Sequence, residues 1–114
     1  MIESTILLED AKRLADRFQA SDLYKNYQHH KNALEKDPLL QERVTTYKRY
    51  RYDLERKRLD EGYVSFEEEK RVAHQYTELS LHPLAGPFLA CEFELLNLYR
   101  QTLDVICEAY DKVL

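Results

Sequence analysis

An all-α fold, a five-helix antiparallel bundle-like domain with a long C-terminal helix and no β-sheet, is what the sequence predicts. Only two glycines and three prolines interrupt 114 residues, too few turn formers for a chain rich in strands. Leu, Glu, Lys, Arg, Ala and Gln, which lose little on entering a helix, are abundant. Apolar residues also recur at spacings of three and four rather than two, the period of a helix face. The length suits one domain, residues 1–114, with a single core.

The first helix is expected from about Ser4 to Gln19, with Leu7, Ala11, Leu14, Ala15 and Phe18 on one stripe. Ser21 can cap a second helix that ends near Lys36 and carries Leu23, Tyr27, His30 and Leu34 on one side. Asp37-Pro38 is a strong start signal, because the aspartate accepts orphan backbone donors and the proline already has a helical φ. The third helix then runs to about Glu61 and stops at Gly62, where a left-handed residue closes many helices. Ser65-Phe66-Glu67-Glu68 reads as a capping box opening a fourth helix that continues to about Leu81. His82-Pro83 breaks it, with His82 as a cap or turn residue. The last helix starts between Pro83 and Pro87 and continues to about Tyr110.

The motifs of catalysis are missing. None of His29, His30, His74 and His82 stands in a zinc or di-iron spacing. Two glycines cannot build a phosphate-cradling loop, and no serine or cysteine has a nucleophile motif around it. Cys91 and Cys107 lie about 24 Å apart along one helix and cannot bridge each other within it. They read as small apolar residues, and a metal or cluster role would need thiolates from further subunits. The expectation is therefore a protein that is not an enzyme and holds no cofactor. The acidic N-terminus (Glu9, Asp10) does not look like a secretion signal, and no apolar run is long enough for a membrane. With unpaired cysteines, a reducing cytoplasm is the expected location.

Two surfaces are candidates for binding. The last helix is apolar over more than one face, so a set comprising Phe88, Leu95, Leu96, Tyr99, Leu103, Ile106 and Tyr110 is expected to serve contacts beyond the chain's own core. A homo-oligomer, dimer or tetramer, follows. The third helix concentrates Arg43, Lys48, Arg49, Arg51, Arg56, Lys57 and Arg58 against Asp53 and Glu55, a local charge of +5 in a chain whose total is −4. Tyr47, Tyr50 and Tyr52 interleave with those cations, a composition that RNA-contacting helices share. The reading favoured is a solvated face laced by Arg49–Asp53, Arg51–Glu55 and Arg56–Asp60 pairs, and direct RNA contact is the alternative. Tyr50 and Tyr52, outside the core stripe, are further candidates for a contact surface.

The ordered set Ser21-Asp22-x-Tyr24, Asp37-Pro38, Gly62, Ser65-Phe66-Glu67-Glu68-Glu69, His82-Pro83-Leu84 and Cys91-Glu92-x-Glu94-Leu95 resembles the YlbF/YmcA family of small helical bacterial regulators. The resemblance implies a non-enzymatic regulator of competence, sporulation and biofilm formation that self-associates and works with the RNA-degradation enzyme RNase Y. It supplies no catalytic residue. The chain departs from the family at His82, where asparagine is frequent, and in having no cysteine-bearing tail, so an iron–sulfur cluster is not expected.

Overall fold

The computed structural model describes residues 2–112, all of whose regular structure is helical: α1 (Ile2–Gln19), α2 (Asp22–Glu35), α3 (Pro38–Glu61), α4 (Phe66–Ser80) and α5 (Ala85–Asp111). The all-helical class and the five elements agree with the sequence. The helices gather into two compact units. One comprises the residues up to His29 and those from Cys91 onward, and the other is His30–Ala90.

Local signals place the boundaries of α3 and α4. Asp37 Oδ1 accepts the Leu40 amide at 3.2 Å and Pro38 follows it, so two of the helix's orphan positions are accounted for. At the other end Gly62 adopts φ +85° and donates its N–H to the Arg58 carbonyl at 2.9 Å. Only a residue without Cβ takes that conformation cheaply. Ser65 Oγ then accepts the Glu68 amide at 3.2 Å, and its hydroxyl donates to the Glu68 carboxylate. The serine half of the capping box is formed as predicted, while the Glu68 carboxylate takes the Ser65 hydroxyl rather than the Ser65 backbone N–H.

α3 and α4 pack as an antiparallel pair: Lys57 and Arg58 in the last turns of α3 meet Glu68 and Glu69 in the first turn of α4, while Tyr47, further back on α3, meets Tyr76 near the other end of α4. Leu40, Val44, Tyr47 and Leu54 are the buried residues of α3, spaced so that they return to one side every turn or two. Leu79 of α4, Leu34 of α2, and Ala85, Phe88 and Leu89 of α5 are buried as well.

The start of α5 combines two devices. Nδ1 of His82 accepts the Leu84 amide at 3.1 Å and lies 3.5 Å from the Ala85 nitrogen, so the imidazole serves as a cap. Gly86 lies so close to Ser80 that a Cβ there would collide with the Ser80 carbonyl oxygen. Pro87 stands inside the first turn, where its missing N–H costs nothing. The helix therefore begins at Ala85, within the window left between Pro83 and Pro87.

α1 behaves differently. It is an 18-residue helix with no buried residue, and its stripe of Leu7, Leu14 and Phe18 is exposed at the first two positions and half-buried at the third. It also begins two residues before the expected Ser4, at Ile2.

Candidate functional site

In the unit that holds α1, apolar side chains flank an open groove of about 510 Å³. Ala11, Leu14, Ala15 and Phe18 supply one wall, Leu98, Tyr99, Thr102, Leu103 and Ile106 the other, and Tyr24 closes an end. Helical spacing creates both walls, since each set repeats every three or four residues. Rings fix the geometry at that end. Phe18 meets Tyr99 and Tyr24 edge-on, each with centroids 6.0 Å apart, and Tyr24 continues to Tyr27 at 6.4 Å. Edge-to-face contacts of this kind hold aromatic side chains in fixed orientations. Ser21 supports the entry to α2 by donating its hydroxyl to the Phe18 carbonyl at 2.7 Å and accepting the Tyr24 amide at 3.2 Å.

The structure divides the predicted surface of α5. Leu96, Tyr99, Leu103, Ile106 and Tyr110 are exposed, as an outward-facing role requires. Phe88 and Leu95 are not: they are 5% and 8% exposed and belong to the core. Periodicity places all seven on a broad stripe, but it does not say which part of that stripe the chain covers itself. Phe93 and Val105, absent from the predicted set, are exposed apolar residues of the same helix.

The basic stretch of α3 is largely engaged within the chain. Lys57 Nζ contacts the Glu68 carboxylate at 2.9 Å, and Arg58 contacts Glu69 at 2.9 Å and Glu55 at 3.7 Å. The Lys57–Glu68 hydrogen bond holds the lysine above its ordinary pKa and the carboxyl below its own. That clamp is intact through the neutral range, and falling pH weakens it only as Glu68 protonates. Arg51 lies 5.6 Å from the Tyr47 ring centroid and Lys48 lies 5.8 Å from that of Phe88, both within cation–π range. Arg43, Arg49 and Arg56 are exposed. The expected Arg49–Asp53, Arg51–Glu55 and Arg56–Asp60 pairs do not form. The partners are instead Glu68 and Glu69 on the facing helix, Glu55 one turn back on α3, and the Tyr47 and Phe88 rings, since a hairpin adds contacts that a helix considered alone lacks. Tyr52 is exposed and Tyr50 is half-buried.

No group of three or more His, Cys, Asp or Glu among the described residues is placed to hold a metal ion. No helix among the described residues is long and apolar enough to cross a membrane. The cysteines differ in surroundings. Burial, helped by the nearby Glu94 carboxylate, pushes the Cys91 thiol up, whereas Cys107 is exposed. A thiol-reactive dye at pH 7.5 is therefore expected to label Cys107 at least about tenfold faster than Cys91, since both thiolate content and access set the rate. Mass spectrometry of the early product, with equal labelling of both as the contrary result, checks this.

Such an architecture defines a small all-helical protein with open apolar grooves. The chain belongs to the YlbF/YmcA family, whose profile, described as control of competence regulator ComK, matches residues 7–109. A regulatory role comes with that family. Among curated proteins the chain is 29% identical to a UPF0342 protein of Caldicellulosiruptor saccharolyticus, over 89% of this chain and 84% of the relative. It is 25% identical to a UPF0342 protein of Caldicellulosiruptor bescii, over 89% and 85% respectively. No solved structure gives a significant match.

Proposed function

We infer that this protein is a non-enzymatic regulator that acts by docking, with the groove between α1 and α5 as its principal contact surface and a second copy of the chain as one occupant. The observation that carries this reading is apolar surface left in water. Twelve large apolar side chains of α1 and α5 are among the exposed ones. Four of them, Leu14, Tyr99, Leu103 and Ile106, line the one groove, and apolar groups gathered on one exposed surface mark a contact site. Self-association supports the regulatory role by assembling a larger platform. The remaining helix faces then engage a client, for which the family resemblance suggests an RNA-degradation assembly containing RNase Y.

Affinity capture of the full chain from the cells that make it, with quantitative mass spectrometry, tests the client. Enrichment of RNase Y and its companion proteins, resistant to nuclease treatment, is the expected result. Recovery of transcripts alone, lost on nuclease treatment, would favour the basic helix as an RNA contact and remove the docking reading. The exposed cations Arg43, Arg49 and Arg56 would then be the first residues to examine.

A further inference from the structure

The tip of the α3/α4 hairpin carries a second set of unburied apolar side chains. Leu59 is 82% exposed, Tyr63 71% and Phe66 76%, three large groups within eight residues that contribute nothing to the core. Leu59 lies in the last turn of α3 and Phe66 opens α4, so the short connection brings both to the tip. Tyr63 stands between them in the connection.

That connection is held firmly. The left-handed Gly62, the Ser65 capping box and two ion pairs of 2.9 Å all fall within a few residues of the tip. Anchors presented on a fixed turn lose little conformational entropy when they bind. The charge around them is one-sided. Residues 59–67 contain Asp60, Glu61 and Glu67 and no cation, and neither Asp60 nor Glu67 makes an ion pair among the described residues. Lys57 and Arg58, the nearest cations on α3, are already engaged, and Arg56, Lys70 and Arg71 stand further back along the helices.

We propose that Leu59, Tyr63 and Phe66 anchor a second docking surface, which takes a protein partner whose apolar cleft is rimmed by lysine or arginine. Aromatic and leucine anchors fill such a cleft, while the three carboxylates meet its basic rim. The same carboxylates argue against an anionic membrane surface or a nucleic acid, both of which demand cations. This surface is separate in sequence from the α1/α5 groove and does not rest on its occupancy.

The test is photo-crosslinking in the producing cells from p-benzoylphenylalanine placed at position 63 of the full chain, with the joined peptide sequenced. The expected adduct is a protein whose joined segment carries Lys or Arg beside apolar residues. Its yield should drop at least tenfold in the Asp60→Lys, Glu61→Lys, Glu67→Lys variant and in the Leu59→Ala, Phe66→Ala variant. Circular dichroism shows whether each variant keeps its helices. Should either prove unfolded, the single Glu61→Lys change supplies the charge comparison and Phe66→Ala the anchor comparison. The proposal is overturned by no protein adduct, by adducts only with lipid, nucleic acid or a second copy of the chain, or by a yield indifferent to charge reversal.

Discussion

Tyr47→Ala is expected to lower the free energy of unfolding by about 3–5 kcal/mol, the range for removing a large buried aromatic side chain. Tyr47 is 4% exposed, stacks at a tilt on Tyr76 with centroids 6.2 Å apart and lies under the Arg51 guanidinium. It also borders the open groove on each side of the α3/α4 pair, so its ring is the wedge between the two helices. Alanine would leave a void that rigid helices cannot close, and the lost contacts would add to the lost transfer energy. Urea titration should show a lower midpoint at an unchanged slope. Tyr52→Ala on the exposed side of the same helix should stay within about 0.5 kcal/mol. Equal effects from the two substitutions would mean that the α3/α4 packing is wrongly described.

Replacing both Leu103 and Ile106 with aspartate is expected to weaken self-association at least about 100-fold, equivalent to about 2.7 kcal/mol. Both residues line the α1/α5 groove, yet both are exposed in the single chain. Two carboxylates there cost little while water reaches them. They become expensive only when a second copy excludes that water without supplying partners. Sedimentation velocity across a micromolar range reads the shift toward the monomer, and circular dichroism checks that the helices persist. Leu39→Asp, an exposed apolar position on α3, serves as the comparison and should leave the distribution unchanged. A wild-type chain that sediments only as a monomer would remove the self-association reading altogether.

Helix limits were readable from the sequence where a side chain or a special backbone angle sets them. Asp37, Gly62 and Ser65 each act within three or four residues, so α3 and the start of α4 lie where those residues place them. The start of α5 was blurred because Pro83 and Pro87 both suit an opening turn. Its position depends on the His82 cap and on the close approach of Gly86 to Ser80, which are contacts of the folded chain. Burial was the harder quantity. Phe88, Leu95, Leu96 and Tyr99 follow one periodic pattern, yet the first two are core and the last two are exposed. A repeat reveals an apolar face, not what covers it. The charged face of α3 failed for a related reason: spacing within one helix suggests i,i+4 pairs, while Lys57 and Arg58 found carboxylates on α4. The exposure of the tip anchors is not legible in the sequence, because a capping signature such as the one around Phe66 marks a helix boundary and says nothing of burial.

That α1 buries none of its own residues links its folding to company. A helix of this length is marginal in water by itself, so whatever fills its apolar side also holds its backbone in shape. If a second copy of the chain is that filler, as proposed, dilution would lower helical order along α1 by mass action and a higher protein concentration would restore it. A cell could thus tune how much of this segment is ordered simply by changing how much of the protein it makes.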